Sequence, residues 1–448
     1  MVDIVIIGGG PAGYISALKA AKLNKEVVLI EKDQLGGTCL NRGCIPTKSL
    51  LHASHKFNEL SKSEFFGISI NEATVDYTKI DEYKNSCVTK LKIGIEGLLK
   101  NAKVRVIKGN GKILSNSEVE VNDEIISASN ILIATGSKPR VLNIKGIDKE
   151  IVVTSNHLLN EFKEVDKIVI IGGGVIGVEF ATIYANLKKD VTIIESCDLI
   201  LSTLDKEISN NLAMQLRKAG VKIKLKATIN EIVDNGIIVN DELIEADKIL
   251  CAVGRTSNTE NLFDNKLIDV NNGSIVVDDN FKTNLENVYA VGDCIKGIQL
   301  AHYASACGLY VIENIFKGSS SINLNNVPAC VYTNMEIAEV GINEKAAKEK
   351  GIDYKVGKFS MLSNAKSVVS NSDRGFIKVI SDSNNIVIGA SLMCDRASDI
   401  VSIFTNAINN KSTIDSLTDT IYPHPSFSES IVEALEDTSK QALHVIYR

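Results

Sequence analysis

Two glycine-rich turns, each between a short apolar strand and a helix, constrain the fold of this chain more than any other feature. The first turn, Gly8–Gly13, follows the apolar run Val2–Ile7 and leads into a helical pattern over Ala12–Leu23. The second turn, Gly172–Gly177, lies between the same two kinds of segment. Short β-branched runs that alternate with helices are typical of a buried parallel sheet. We therefore expect an α/β protein in which one supersecondary unit occurs twice.

The glycines recur in the pattern G-x-G-x-x-G, as Gly8, Gly10 and Gly13 and again as Gly172, Gly174 and Gly177. The first allows a tight turn, the second lets the backbone approach a pyrophosphate, and the third lets helix and strand pack closely. Glu31 and Glu195 each end the next predicted strand, 18 positions after the third glycine. A carboxylate at this position can accept hydrogen bonds from ribose hydroxyls. The pair predicts two dinucleotide-binding folds, against the alternative of glycine-rich turns that bind nothing.

Glu195 also distinguishes between the two nicotinamide cofactors. Its carboxylate would repel the 2′-phosphate of NADP, which usually requires a nearby arginine. The residues that follow, Ser196–Leu199, include no arginine. We therefore expect the second fold to bind NAD.

Two cysteines, Cys39 and Cys44, lie between the two glycine-rich turns with four residues between them. Structural zinc would need a second such pair or a downstream histidine pair, so we predict no metal site. Two buried core thiols and a redox-active dithiol are the remaining interpretations. The redox interpretation has physical support, since a helix N-terminus at the pair would stabilise a thiolate and Lys48 lies one turn after Cys44.

A histidine near the C-terminus, His424, is a candidate acid–base residue. Ser426 and Glu429 fit a capping box at the start of a helix that we predict from about residue 427 to residue 443. That structural interpretation suffices for the segment by itself. Thiol–disulfide exchange, however, needs a base to form the thiolate and an acid to protonate the leaving sulfur, and a carboxylate can orient such a histidine.

Composition narrows the class of protein. The 448 residues correspond to about three domains of roughly 150 residues. Hydrophobic residues make up 44%, and 49 Lys+Arg stand against 55 Asp+Glu, so neither disorder nor binding to nucleic acid or anionic membranes is expected. The nine cysteines do not suggest a secreted disulfide framework, and those other than Cys39 and Cys44 are expected in the core. We predict a cytoplasmic protein without a membrane span, and loops at Asn116–Asn122, Asp234–Asp241 and Asn271–Asn280.

In the order of its motifs, the whole chain resembles the pyridine nucleotide–disulfide oxidoreductases, and within them it is most similar to the dihydrolipoyl dehydrogenases. The most specific motifs are Cys39–Lys48 and His424–Glu429. Less specific ones are Gly8–Gly13, Ala134–Ser137, Gly172–Glu179, Ala252–Arg255, Ala290–Asp293 and Leu300–His302. The resemblance implies two Rossmann-like domains, for FAD and NAD, and an α+β C-terminal dimerisation domain.

The resemblance also implies which residues contact the cofactors. The implied FAD contacts are Gly8, Gly10, Gly13, Glu31, Thr38, Lys48, Gly111, Thr135, Gly136, Ser137, Asp293 and Ala301. The implied NAD contacts are Gly172, Gly174, Gly177, Glu179, Glu195 and Gly254. Lys48 and Glu179 would pair beside the flavin.

The implied reaction is the oxidation of protein-bound dihydrolipoyl groups, with NAD as acceptor. Cys39 would exchange with substrate and Cys44 would face the flavin. His424 and Glu429 would complete the active site of the partner subunit in a homodimer. The implied partner is a lipoyl-bearing acyltransferase or a glycine-cleavage H-type protein.

The implied domains are an FAD-binding domain in two segments, an NAD-binding domain between them, and a dimer interface domain. Their boundaries would be 1–150 and 265–327 for the FAD-binding domain, 151–264 for the NAD-binding domain and 328–448 for the interface domain.

Two alternatives remain open. The first is an NAD(P)H-dependent reductase of another small disulfide, of the mycothiol, coenzyme A or glutathione type. A glutathione reductase would usually prefer NADP and carry Tyr where Val175 stands. The second is a non-catalytic flavin- and NAD-binding subunit, which would not need both the cysteine pair and the histidine–glutamate pair.

Overall fold

The computed structural model describes residues 1–264, 267–372 and 374–447. Its strands are β1 Ile4–Ile7, β2 Val27–Glu31, β3 Arg105–Lys108, β4 Lys112–Ile113, β5 Glu118–Val121, β6 Glu124–Ser127, β7 Ile131–Ile133, β8 Ser137–Pro139, β9 Val152–Thr154, β10 Lys167–Ile171, β11 Asp190–Ile194, β12 Lys222–Lys224, β13 Ile229–Val233, β14 Gly236–Val239, β15 Glu242–Glu245, β16 Lys248–Cys251, β17 Arg255–Ser257, β18 Val270–Asn271, β19 Ser274–Ile275, β20 Val288–Ala290, β21 Ala329–Val331, β22 Ile337–Gly341, β23 Tyr354–Ser360, β24 Phe376–Asp382 and β25 Val387–Met393.

The α-helices are α1 Pro11–Lys22, α2 Gly37–Arg42, α3 Cys44–Leu60, α4 Tyr77–Asn101, α5 Ser155–Asn160, α6 Val175–Asn186, α7 Lys206–Lys218, α8 Ala301–Lys317, α9 Glu344–Glu349, α10 Ala365–Val369, α11 Ala397–Asn409, α12 Ile414–Thr418 and α13 Ser430–Glu436. Short 3₁₀ helices occur at Ser63–Phe66, Gly292–Cys294, Met361–Ser363 and Asp437–Ser439. Among the described residues, none of the helices is long and apolar enough to span a bilayer.

Two parallel sheets repeat one arrangement of strands. The first has the order β20-β7-β1-β2-β3, and the second has the equivalent order β9-β16-β10-β11-β12. In each, the strand that leads into a glycine turn, β1 or β10, is paired on both sides and buried over its apolar residues. The carboxyl ends of parallel strands lie at one edge of a sheet, so each glycine turn opens a crevice there. The predicted α/β fold with two Rossmann-like units is confirmed.

The two sheets differ in the origin of one edge strand. In the second sheet β9 precedes β10 along the chain, whereas in the first sheet β20 follows the whole second unit. An antiparallel ladder of β8 and β17 joins the segments that leave and re-enter the first unit. The boundaries 1–150, 151–264 and 265–327 remain a prediction, and residues 265–266 lie outside the described residues.

A third sheet is antiparallel and has the order β21-β22-β25-β24-β23. Helix α11 packs against β22 and β25, while α13 packs against β23 and β24. Phe404 from α11 and Ile431 from α13 are fully buried in one shared apolar core. This layer of helices on a sheet is the α+β unit expected for the C-terminal part of the chain.

All three segments that we predicted as loops contain strands, so those predictions were wrong. In Asn271–Asn280 the strand is β19. β5 lies within Asn116–Asn122 and β14 lies within Asp234–Asp241. Asn122–Asp123 and Asn240–Asp241 form two-residue hairpin turns, in which all four residues have φ between 49° and 66°. Asn and Asp tolerate this left-handed conformation, so here they mark tight turns between strands rather than extended loops.

The helix predicted over residues 427–443 is also shorter than expected. The α-helix begins at Ser430 and ends at Glu436, and the short 3₁₀ helix Asp437–Ser439 follows it. The hydroxyls of Thr438 and Ser439 donate to backbone carbonyls three residues earlier, which competes with continued α-helix. Lys440 then adopts a φ of 60°, and the chain turns away.

Candidate active site

The predicted FAD contacts follow the strands of the first parallel sheet. Gly8 follows β1, Glu31 ends β2, Gly111 comes shortly after β3, Thr135 follows β7, and Asp293 follows β20. All five strands run in the same direction, so these positions share one edge. The structure therefore brings together residues that are far apart in the sequence, in a crevice of the kind that binds a dinucleotide.

The glycine turn after β1 fits a cofactor because its backbone leaves no room for side chains. A Cβ on Gly8 would overlap the carbonyl oxygen of Ala134, and a Cβ on Gly13 would overlap that of Gly8. Across the turn, a Cβ on Gly37 would lie 2.7 Å from the Cα of Gly10, closer than such atoms approach. Bare backbone at the N-terminus of α1 is the surface to which a pyrophosphate can bind.

Glu31 borders this turn from the end of β2. Its Oε2 accepts a hydrogen bond of 2.6 Å from the Gly9 N–H, and its Oε1 accepts one of 2.7 Å from the Asp33 N–H. Burial raises the pKa of Glu31, although the Gly9 N–H opposes that shift. The carboxylate is therefore held beside the turn, where a ribose hydroxyl could donate to it.

A polar cluster forms the other side of the same crevice. The hydroxyl of Ser137 donates to Asp293 Oδ2 at 2.6 Å, and Arg255 Nε donates to the same hydroxyl at 2.7 Å. Burial lowers the pKa of Arg255, and the charges of Asp293 and Cys44 oppose this. Arg255 stood in a motif to which the sequence assigned no role, and the structure shows that it orients Ser137.

The other predicted FAD contacts lie close by in the fold. Thr135 donates from Oγ1 to the carbonyl of Asn258 at 2.7 Å. Gly136 has a φ of 68° and open space where a Cβ would lie. Thr38 is next to Gly37 in α2, and Ala301 begins α8, which packs against the 3₁₀ helix containing Asp293.

The second crevice is built in the same way. A Cβ on Gly172 would overlap the carbonyl oxygen of Ala252, and a Cβ on Gly177 would overlap that of Gly172. Gly174 and Gly254, by contrast, have open space within 4 Å of a Cβ. This backbone can therefore admit a dinucleotide from solvent.

Glu195 is the counterpart of Glu31 in the second crevice. Its oxygens accept hydrogen bonds of 2.7 Å from the Gly173 N–H and 2.7 Å from the Cys197 N–H. Burial would raise the pKa of Glu195, but these N–H groups outweigh it and hold the pKa below its usual value. The carboxylate is therefore ionised at neutral pH, as binding to ribose and rejection of a 2′-phosphate require.

The two cysteines occupy consecutive helices. Cys39 lies in α2, and Cys44 is the first residue of α3. The hydrogen bond between them, burial and the charge on Cys44 raise the pKa of Cys39. The same hydrogen bond and the ammonium of Lys48 lower the pKa of Cys44 to about 7, against burial and the charge of Glu179. The negative charge is therefore stabilised on Cys44 rather than on Cys39.

Lys48 and Glu179 connect the dithiol segment to the second dinucleotide fold. Lys48 Nζ lies 2.8 Å from Glu179 Oε1, and the Glu179 side chain is almost completely buried. Burial would lower the pKa of Lys48, but the Glu179 carboxylate outweighs it and raises that pKa. Tyr332, beyond β21, donates its backbone N–H to Glu179 at 3.1 Å, and its ring lies 4.6 Å from Lys48 Nζ. Helix α3, helix α6 and the residue after β21 therefore meet at this point, and the sequence did not predict the last of these, Tyr332.

His424 and Glu429 form a second pair. His424 Nδ1 lies 2.8 Å from Glu429 Oε2, and the imidazole is 71% exposed. The other oxygen, Oε1, accepts the Ser426 N–H at 3.2 Å, while the Ser426 hydroxyl accepts the Glu429 N–H at 3.2 Å. One carboxylate therefore belongs both to the predicted capping box and to the histidine pair.

The structure does not bring this pair to the dithiol within one chain. Among the described residues, no hydrogen bond or ion pair joins His424 to Cys39 or Cys44. Tyr332 follows the edge strand β21, whereas α13 packs against β23 at the opposite edge of the third sheet. At about 4.8 Å between neighbouring strands, these edges are about 19 Å apart.

Comparison with known proteins settles the family. Residues 2–308 match the model for pyridine nucleotide-disulphide oxidoreductases, and residues 327–435 match the dimerisation domain of the same group. The chain belongs to this family. It is therefore an FAD-dependent disulfide oxidoreductase of a family that uses FAD and NAD, and its dimerisation domain supports a homodimer.

Curated relatives and solved structures agree with that membership. The chain is 37% identical to a dihydrolipoyl dehydrogenase of Bacillus subtilis and 36% identical to one of Staphylococcus aureus, over 99% of this chain and 98% of each relative. It is similar to the HOCl-induced flavoprotein disulfide reductase RclA of Escherichia coli, with TM-score 0.87, 32% identity and coverage of 97% and 99%. LpdA of Mycobacterium tuberculosis gives TM-score 0.90 at 27% identity, with the same coverage.

The remaining cysteines of this oxidoreductase vary in environment. Cys251, Cys294, Cys307 and Cys394 are buried, as expected for core residues. Cys197 is exposed, and the prediction that it packs in the core was wrong. It lies in the turn after β11, where its backbone N–H donates to Glu195 at 2.7 Å.

Proposed function

We propose that this oxidoreductase oxidises dihydrolipoyl groups on partner proteins to lipoyl groups, with NAD as the final acceptor. The observation that carries the proposal is the polarised dithiol at the junction of two dinucleotide folds. Attack on a disulfide is faster when the departing sulfur has a low pKa. Because the pKa of Cys44 is lowered and that of Cys39 is raised, attack at Cys39 with departure of Cys44 is the favoured direction.

The proposed exchange balances in electrons and protons. One substrate thiolate attacks Sγ of Cys39 in the Cys39–Cys44 disulfide, and Cys44 leaves as a thiolate. The second substrate thiol then closes onto the first, which forms the cyclic disulfide and releases Cys39. The substrate loses two electrons and two protons. One proton goes to His424 at Nε2, because its Nδ1 is bound to Glu429, and the other goes to Cys39, which is released as a thiol. Bound FAD supplies the two-electron chemistry between dithiol and nicotinamide.

Two observations support a site shared between subunits. His424 is exposed and pairs with Glu429, which precedes a helix at the edge of the third sheet opposite Tyr332, and the chain carries a dimerisation domain. We propose that His424 of the partner subunit faces Cys39 in the dimer. The lipoyl-bearing partner would be an acyltransferase or a glycine-cleavage H-type protein. The four predicted domain segments would then bind FAD, bind NAD and form the dimer interface.

The test compares variants in the dihydrolipoamide:NAD reaction. We expect Cys44→Ser to abolish turnover while the flavin stays bound, and His424→Gln to lower turnover by about 100-fold or more, the range for loss of an acid–base group. Cys87→Ser is the matched control, because this partly buried cysteine of α4 belongs to neither predicted cofactor site, and it should keep full turnover. Undiminished turnover in either of the first two variants would contradict the proposal.

A second candidate is the reduction of another small disulfide by NADH. The structural likeness to a flavoprotein disulfide reductase supports it. Anaerobic addition of dihydrolipoamide distinguishes the two, since a lipoyl enzyme should lose its oxidised-flavin absorbance. Retained absorbance, with rapid NADH-dependent reduction of a glutathione, coenzyme A or mycothiol disulfide, would favour the second candidate.

A further inference from the structure

A buried asparagine, Asn364, lies behind the histidine–glutamate pair. Its side chain is only 2% exposed. The amide Nδ2 donates to the Ser426 carbonyl at 2.9 Å and to Glu429 Oε1 at 3.4 Å. The amide Oδ1 accepts from the Ser367 N–H at 2.8 Å and from its hydroxyl at 3.0 Å. With donors on one side and acceptors on the other, only one orientation of this amide satisfies its neighbours.

These contacts divide the two oxygens of Glu429 between different tasks. Oε1 receives Asn364 Nδ2 and the Ser426 N–H, while Oε2 receives His424 Nδ1. Rotation of the carboxylate would break the bonds at Oε1, so the imidazole partner is held in one place. Asn364 also binds the carbonyl of Ser426, two residues after His424, and thereby anchors the loop that carries the imidazole.

We propose that Asn364 is a positioning residue for the acid–base pair, acting through Glu429 and the Ser426 loop. The inference rests on the proposed function, because it assumes that His424 serves the dithiol half of the reaction. Residues that orient metal-ligating histidines and carboxylates from behind typically change affinity or activity by about 10- to 100-fold when removed, and we expect an effect of that order for this acid–base pair. Asn364 comes from the start of α10, 65 residues before Glu429, and no sequence motif connects the two.

The surrounding charges make a neutral donor important at this position. Glu433 lies one turn after Glu429 on α13, and its carboxylate accepts His444 Nδ1 at 2.7 Å and the His444 N–H at 3.0 Å. Glu429 at the start of α13 and Glu433 within it therefore place two carboxylates one helical turn apart, and only the second is paired with His444. A carboxylate at position 364 would face Glu429 Oε1 directly and repel it.

The simpler interpretation is that Asn364 only caps α10, and the chain offers a matched control for this. Asn343 caps α9 in the same sheet-and-helix unit by accepting the Ala346 N–H at 3.0 Å. Its Nδ2 also donates to a carboxylate, that of Glu339, at 3.0 Å. Aspartate is as good a cap as asparagine, so Asn364→Asp and Asn343→Asp both keep the cap and lose the amide donor.

The experiment measures the two halves of the reaction separately in the flavin-loaded dimer. Rapid mixing follows reduction of the flavin by dihydrolipoamide and, independently, by NADH. We expect Asn364→Asp to slow the dihydrolipoamide half by about tenfold or more and to leave the NADH half within about twofold, since His424 acts only on thiols. Asn343→Asp should leave both halves within about twofold. Equal slowing by both variants, or slowing of both halves by Asn364→Asp, would overturn the inference.

A double-mutant cycle tests whether Asn364 acts through Glu429. If it does, Asn364→Asp combined with Glu429→Gln should be no slower than Glu429→Gln alone. Multiplied effects would show independent action and overturn the inference. His424→Gln separates this result from the proposed function. If that variant reduces its flavin with dihydrolipoamide at the unaltered rate, the proposed function fails. If it is slow while Asn364→Asp is not, only the positioning role fails.

Discussion

The two dinucleotide folds share strand order, glycine turns and a strand-ending acid, yet the first is closed by its own chain and the second is open. In both folds the chain that follows the second strand crosses the glycine turn: the Gly36 N–H donates to the Gly9 carbonyl at 2.8 Å, and the Leu201 N–H donates to the Gly173 carbonyl at 2.9 Å. Only in the first fold does a further residue, Gly37, face the middle glycine, Gly10. In the second fold, a Cβ on Gly174 would meet nothing within 4 Å, and Val175 is 42% exposed. The difference between the folds is therefore the start of the dithiol helix, which lies over Gly10, whereas nothing lies over Gly174 among the described residues.

The two acids that end the second strands, Glu31 and Glu195, differ in burial in the same way as the two glycine turns. Burial raises the pKa of Glu31, whereas backbone N–H groups hold that of the more exposed Glu195 below its usual value. A closed crevice suits FAD, which stays bound through the cycle. An open crevice with an ionised acid suits NAD, which must enter and leave at each turnover. The comparison shows that one local motif acquires two binding modes from what packs against it.

The largest effect is expected from filling the third glycine of either turn. Gly13→Ala and Gly177→Ala each place a methyl group on a backbone carbonyl, which costs about 3 kcal/mol or more if the strand and helix cannot separate. We expect Gly13→Ala to be isolated without flavin. Gly177→Ala should keep its flavin and lose reduction by NADH. Absorbance spectra and rapid mixing measure both, and loss of flavin from Gly177→Ala would show that the two folds are not separable.

A smaller effect is expected from the acid of the open fold. Glu195→Gln keeps the shape of the side chain but removes the negative charge that would strengthen hydrogen bonds from the ribose hydroxyls. We expect the affinity for NAD to fall by about tenfold. The KM for NAD should rise by about that factor with kcat little changed, as for an interaction made equally in ground and transition states. Glu245→Gln, an exposed acid of the same unit, is the control. A fall in kcat without a change in KM would contradict this assignment.

The smallest effect concerns pH and stability in flavin-free protein. Because the pKa of Glu195 is lowered on folding, its ionised form stabilises the protein above the unfolded-state value of about 4.3, and this contribution is lost as pH falls through the lowered pKa. Because the pKa of Glu31 is raised, its ionisation costs stability as pH rises through the raised value.

Thermal unfolding between pH 4 and pH 7 should therefore separate Glu195→Gln from Glu31→Gln. At pH 7 we expect Glu195→Gln to lower the free energy of unfolding by under about 1 kcal/mol, since solvent screens this half-buried group. Its deficit should shrink towards pH 4. Glu31→Gln should not lower stability at pH 7. The same pH response in both variants would remove the electrostatic difference between the folds.

Much of the fold could be predicted because it is encoded locally. The parallel strands, the glycine turns and the dithiol helix each depend on a few neighbouring residues. The errors arose where local signals have two meanings. Asn122–Asp123 and Asn240–Asp241 were interpreted as loops, although Asn and Asp also form the two-residue turn of a hairpin. The pattern at 427–443 predicted a long helix, but hydroxyl side chains end it after Glu436.

By itself, the sequence determined the chemistry that depends on short spacing. It placed two thiols at a helix start, an acid after each glycine turn, and a histidine five residues before a glutamate. Tertiary structure alone decided which distant groups support them. Tyr332 meets Lys48 and Glu179, Arg255 orients Ser137, and Asn364 holds Glu429. The physical reason is that hydrogen bonds between remote segments depend on how sheets and helices pack, and no periodicity within either segment records that packing.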